Sequence, residues 1–199
     1  MNCLPLEIIY LIFENLYFLD KIKLKKVCKL FNTLLIRDFL HITFTLQQKL
    51  DDNILADKWY ITKLFANDNP KIKNIRHMTN LKILDCGSDC GISDEDIKNL
   101  NLTELYALDN PKIKSIHHMT NLKMLDCGLN CEISDEDIKN LNLTELWALN
   151  NPKIKNIRHM TNLKRLFCGG NCGISDEDIQ NLNLTYLHSI GNPKVTIKI

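Results

Sequence analysis

The chain has 199 residues, 45% of them hydrophobic, and its 25 basic and 24 acidic side chains leave a formal net charge of +1. A chain of this size and composition can bury a sizeable core in one or two small domains and is not compositionally disordered. Near-neutrality removes any global electrostatic reason to expect nucleic acid or an anionic membrane surface as the main partner, and neither is expected.

Met1 to Leu19 is apolar, but Pro5, Glu7, Glu14 and Asn15 interrupt it and no basic region precedes it, so it reads as a soluble amphipathic segment rather than a signal peptide. No later stretch approaches the roughly 20 uninterrupted apolar residues needed to span a bilayer. A soluble, intracellular protein is expected, cytoplasmic or nuclear. From Leu4 to Phe31 the spacing predicts two amphipathic helices separated near Leu19 and Asp20, with Pro5 in a first turn that tolerates it. Ile8, Ile9, Ile12, Phe13 and Leu16, then Ile22, Leu24, Val27, Cys28 and Phe31, recur at helical spacing and would share one core. A third helix is expected from Asn32 to His41.

Leu4-Pro5-x-Glu7-Ile8, Ile12-Phe13, Leu16, Asp20, Leu24, Val27-Cys28-Lys29 and Phe31 stand at spacings that resemble the F-box family, over residues 1–41. One departure is Lys21, where the family carries an apolar residue. The resemblance implies a three-helix module that packs on the Skp-type adaptor of an SCF (cullin-RING) ubiquitin ligase, with Leu4, Pro5, Ile8, Ile12 and Leu16 among the matching, adaptor-binding positions. Independently, a module this small makes little autonomous core, so its apolar helical surface needs a partner or the neighbouring domain.

Residues 42–60 hold one alternating run and one helical-looking run, expected to link the helical module to the chain beyond residue 60 and to cap the N-terminal end of that second domain. From Asn69 the segment NPKIKNIRHMTNLKILDCGSDCGISDEDIKNLNLTELYAL returns at Asn110 and Asn151 with few changes, a period of 41 residues. Each period splits into units of 20 and 21 residues beginning at Ile61, Leu81, Leu102, Leu122, Leu143, Leu163 and Leu184. The pattern L-x-x-L-x-L-x-x-N with an apolar turn after it resembles the leucine-rich repeat (LRR).

The fold expected is therefore an α/β repeat: an F-box-like helical module at 1–41, then an LRR solenoid at 61–199 with a concave parallel sheet and short convex helices. Asn69, Asp89, Asn110, Asn130, Asn151, Asn171 and Asn192 occupy the turn and are expected to stack as one polar ladder. Pro70, Pro111, Pro152 and Pro193 come directly after the odd turns. Ser-Asp-Glu-Asp from Ser93, Ser134 and Ser175 places an N-cap before acidic first-turn residues, which predicts a short helix in each even unit.

Comparison of the copies within this one chain locates a candidate binding surface, because scaffold positions repeat while outward strand positions differ. One outward column reads Phe65, Asp85, Tyr106, Asp126, Trp147, Phe167 and His188, and the column before it Lys63, Ile83, Glu104, Met124, Glu145, Arg165 and Tyr186. Aromatics that offer area at little entropic cost suit a protein ligand, and Asp85 and Asp126 favour one with basic residues. The alternative is that the rings merely cover the sheet and stack on each other.

Cys86/Cys90, Cys127/Cys131 and Cys168/Cys172 do not have the spacing of a structural zinc site. Copies two rungs apart are separated by nearly 10 Å, at about 4.8 Å per rung, too far for a ladder of disulfides. Reduced core thiols are expected, and no metal or cofactor. The acidic triplets lack calcium-loop spacing, His77, His118 and His159 recur with the scaffold, and the lysines from Lys21 to Lys29 form the solvated face of one helix. With no phosphate loop, nucleophile elbow or zinc-protease motif, no intrinsic catalysis is expected.

The function expected is substrate recruitment: the F-box docks the chain on the ligase core and the concave face holds a protein substrate. The rivals are a stand-alone LRR interaction scaffold and a viral or parasite effector with no ligase role. The Asn, Ile and Lys richness and near-identical copies resemble repeat proteins of large amoeba-infecting DNA viruses, which would put the protein in a host cell.

Overall fold

The computed structural model describes residues 50–59 and 61–199; the helical module expected at 1–41, with Leu4, Pro5, Ile8, Ile12, Leu16 and Lys21, lies outside them. In every unit the first, fourth and sixth template positions are apolar or small, and the chain satisfies them by turning once per unit around a common interior. Seven three-residue strands result: β1 Lys63–Phe65, β2 Ile83–Asp85, β3 Glu104–Tyr106, β4 Met124–Asp126, β5 Glu145–Trp147, β6 Arg165–Phe167 and β7 Tyr186–His188. They form one parallel sheet in strict sequence order, which is a parallel-strand solenoid.

Alternation along each strand sends Leu64, Leu84, Leu105, Leu125, Leu146 and Leu166 inward to full burial. The next inward position is Ala66, Cys86, Ala107, Cys127, Ala148 or Cys168, all fully buried small residues. Behind them Ile72, Ile75, Met78, Leu81, Ile92 and Ile97, with their copies, fill the interior as one continuous cluster. No single unit could bury this set alone, so the neighbours on either side stabilise it.

Each unit leaves the sheet through one residue in the left-handed region: Asp68, Ser88, Asp109, Leu129, Asn150, Gly170 and Gly191. The turns beyond these residues are of two kinds, which corrects the expectation of one uninterrupted ladder. In the odd units Asn69, Asn110, Asn151 and Asn192 are buried. The Asn110 amide donates to Cys86 O at 2.6 Å and Ile92 O at 3.4 Å, and its Oδ1 accepts from Lys112 N at 2.9 Å. Asn151 and Asn192 repeat this pattern on Cys127 and Ile133, and on Cys168 and Ile174.

In the even units Asp89, Asn130 and Asn171 are exposed instead, and the interior place one residue later belongs to Cys90, Cys131 and Cys172. A thiol there accepts only weakly, as Cys90 Sγ does from Ile92 N at 3.5 Å. The even units consequently contribute packing where the odd ones contribute hydrogen bonds.

Among the described residues four short helices run on the side opposite the sheet: α1 Asp52–Leu55, α2 Asp94–Ile97, α3 Asp135–Ile138 and α4 Asp176–Ile179. The last three sit in the even units behind a serine N-cap, and the third acidic residue closes a capping box. In α2 the Asp96 carboxylate accepts from both Ser93 N, at 3.0 Å, and Ser93 Oγ, at 2.7 Å. The residue that opens each helix reaches the next unit: Asp135 Oδ1 accepts from Lys155 N at 2.7 Å and Asn156 N at 3.0 Å. Asp52, Asp94 and Asp176 do the same. Leu50 and α1 thus already bond to the first unit of the stack, through Leu50 O and Asp52 Oδ1.

Candidate functional site

The in-phase register lines the outward side chains into columns. Phe65, Asp85, Tyr106, Asp126, Trp147, Phe167 and His188 are successive partners across the sheet, and so are Lys63, Ile83, Glu104, Met124, Glu145, Arg165 and Tyr186. Because the even and odd units alternate, acids and aromatics alternate from β1 to β5, and only β5 to β7 bring rings together.

There Trp147 and Phe167 lie with ring centroids 4.5 Å apart, and Phe167 is 5.1 Å from Tyr186 and 5.9 Å from His188. These distances fall within the range of favourable offset and tilted ring contacts. Arg165 stands over the stack, its Cζ 5.7 Å from the Phe167 centroid and 5.6 Å from that of Tyr186, with NH1 3.4 Å from Glu145 Oε2. Tyr106 is set apart from this group by Asp126, its partner on β4.

Glu104 accepts from Tyr106 Oη at 3.2 Å and Glu145 from Trp147 Nε1 at 2.6 Å, so each acid two residues before an aromatic fixes the polar tip of that ring. Burial, reinforced by Glu104, pushes the Tyr106 hydroxyl up to about 12. Burial likewise pushes the Asp126 carboxyl up to about 6, with Asp85 adding like charge and a bond from Gly128 N partly offsetting it. Asp85 is raised for the same leading reason.

Glu104, Tyr106, Met124, Glu145, Trp147 and Arg165 line an open depression of about 480 Å³ between β3 and β6. The chain matches no protein-family model and no curated protein. The chemistry of the surface itself therefore has to indicate what it can hold.

Two further columns border the face, and the sequence reading missed both. Thr62, Lys82, Thr103, Lys123, Thr144, Lys164 and Thr185 form a polar edge, of which Thr103, Lys123 and Thr144 reach the depression. On the other side Leu108, Leu149 and Ile190 alternate with Gly87, Gly128 and Gly169. A Cβ on Gly169 would stand 2.6 Å from Ile190 O and 3.2 Å from Leu149 Cδ2, so the glycines let the strands' exits and the leucines close over them. The exact 20/21 alternation of leucine and glycine was the available signal for this column.

Other sequence features resolve as scaffold. His77, His118 and His159 place Nε2 at 2.8, 3.2 and 3.0 Å from Leu55 O, Ile97 O and Ile138 O, the last carbonyls of the preceding helices. Each adds a second contact to a carbonyl that already accepts a backbone amide three residues on, from Lys58 N, Leu100 N and Leu141 N. The six described cysteines are free and buried, and burial raises all six thiols, Cys90 and Cys131 to about 11. They are neutral and poorly nucleophilic. Among the described residues no three His, Cys, Asp or Glu side chains converge as a metal site, and no helix is long and apolar enough to cross a membrane.

Proposed function

We propose that this chain is a substrate-recruiting adaptor in which the solenoid is an LRR domain that holds a protein on its concave sheet face. The observation that carries the reading is the contrast between two sets of positions on the same strands. Inward residues repeat almost without change between equivalent rungs, whereas the outward columns keep Asp85/Asp126 and Glu104/Glu145 but change at Tyr106/Trp147, Ile83/Met124/Arg165 and Asp126/Phe167, and they border an open depression. A scaffold needs its interior to repeat; varied outward chemistry is what recognition of a non-repeating partner requires.

The N-terminal resemblance to the F-box supplies the other half of the proposal. Leu4, Pro5, Ile8, Ile12 and Leu16 would dock a Skp-type adaptor and, through it, a cullin ligase core. The chain then contributes proximity, raising the local concentration of the substrate near the ubiquitin-transfer machinery built by other subunits.

Co-expression with a Skp-type adaptor tests the first half. Co-elution is expected, and replacing Leu4 and Pro5 by serine should abolish it; no association at micromolar concentration leaves a stand-alone interaction scaffold or an effector without ligase role. Affinity capture from cells tests the second half. Replacing Phe65, Tyr106 and Trp147 by alanine should remove captured proteins, and an unchanged set would sink the concave-face assignment.

A further inference from the structure

The 41-residue repeat lets one rung serve as a template for another. Shifting by one period takes Glu104 to Glu145, Tyr106 to Trp147 and Met124 to Arg165. At the later position the cation is held: Arg165 meets the Glu145 carboxylate on the preceding strand and lies over the rings of Phe167 and Tyr186. The later position has one flanking acid, since Arg165 is paired with Glu145 and Tyr186, whereas the earlier has two: Met124 is paired across the sheet with Glu104 on one side and Glu145 on the other. The central residue, however, is an uncharged methionine lying nearly buried at 8% exposure.

Above Met124 lies the open depression, walled by Tyr106 and Trp147. Two acids and two bases line it, but only one pair is closed: Arg165 meets Glu145, while Glu104 has no cationic partner among the described residues. Asp126, two residues along β4, is similarly without one. Lys123 on the rim and Arg165 on the far wall are the basic groups that a ligand would meet.

We propose that this depression is a slot for an arginine side chain presented by an extended segment of the partner protein, with Glu104 as the principal carboxylate and Tyr106 and Trp147 as the flanking rings. The proposal deepens the concave-face reading and rests on it. A guanidinium suits the place because it is planar, always charged and weakly hydrated, so it can pair with a carboxylate edge-on while its faces lie against aromatic rings. The chain's own Arg165 combines a carboxylate with rings on a different pair, Phe167 and Tyr186, whose places one period earlier belong to Asp126 and Glu145.

The test uses the full chain and a short blocked peptide with one central arginine, monitored by NMR. Two tryptophans give two indole N–H resonances, and loss of one in Trp147→Phe assigns the reporter. The arginine peptide should shift the Trp147 resonance saturably, and the isosteric citrulline peptide should bind at least about tenfold more weakly, a difference of about 1.4 kcal/mol. Exchanging the residues between repeats gives opposite predictions. Met124→Arg fills the slot from within and should abolish the shift, whereas Arg165→Met frees Glu145 and should tighten binding; circular dichroism checks that both variants keep the fold.

Equal binding of the two peptides, or unaltered binding by Met124→Arg, overturns the arginine slot. If Met124→Arg also leaves the captured proteins unchanged while the Phe65, Tyr106 and Trp147 variant loses them, only the slot fails and the concave-face reading stands.

Discussion

Asp126 is 6% exposed, and its one backbone donor, Gly128 N at 3.2 Å, does not replace the water it lost. Its carboxyl is raised to about 6, above the unfolded value of about 3.9. Between about pH 4 and 6 the folded chain therefore holds a proton that the unfolded chain has released, so stability falls as pH rises through that window. Asp126→Asn should stabilise the protein by about 1–3 kcal/mol above pH 7 and change little at about pH 4, as urea unfolding at the two pH values would measure. Equal destabilisation at both would mean that the carboxylate is better partnered than its surroundings indicate. A residue-by-residue reading could place Asp126 on the outward column, since alternation on a short strand settles that. Its depth could not be read, because burial comes from the flanking Tyr106 and Trp147 rungs rather than from any neighbour in sequence.

Each four-residue helix is far below the length at which a helix is stable on its own, so its end groups and its contacts with adjoining units carry it. The acidic triplet divides the work. In α3, Asp137 closes the capping box with Ser134, Glu136 makes only an exposed pair with Lys139, and Asp135 accepts two backbone amides of the next unit. Asp135→Ala should cost about 1–3 kcal/mol in chemical unfolding and speed hydrogen exchange at the Lys155 and Asn156 amides. Glu136→Ala should stay within about 0.5 kcal/mol, because an exposed ion pair contributes little. The cap was legible in Ser-Asp-Glu-Asp. The role of the first aspartate was not, since its partners lie 20 and 21 residues away and meet it only once units stack.

For the molecule as a whole the alternation of two unit types is a constraint that a simple count of units misses. Asn110 bonds carbonyls of the even unit before it, Asp94 accepts amides of the odd unit after it, and His118 caps α2 at Ile97 O. Deleting residues 110–150 removes a whole period and brings Asn151, Lys155, Asn156 and His159 into those same roles. The shortened chain should fold cooperatively with reduced stability, as nearest-neighbour stacking requires. Deleting only 102–121 instead joins two even units, strands Cys86 O and Ile92 O, and removes the His118 contact to Ile97 O. It should lose several kcal/mol more than the longer deletion despite removing fewer residues, a comparison that circular dichroism with urea unfolding can make.

The sequence by itself determined the period, the unit boundaries, the parallel rungs, the capped helices and the membership of the outward columns. All of these come from local spacing repeated many times, where an error in one copy is corrected by the others. Tertiary structure alone decided which turn residue is buried. In the odd units the interior place goes to an asparagine that bonds carbonyls of the preceding unit, as Asn110 does with Cys86 O and Ile92 O; in the even units it goes to a thiol, with Cys131 Sγ 3.9 Å from Ile113 O. It also decided that Arg165 has a carboxylate and two rings around it while Met124, one period earlier, lies under an open depression between acids. Side chains from three different strands make that difference, and only their register brings them together.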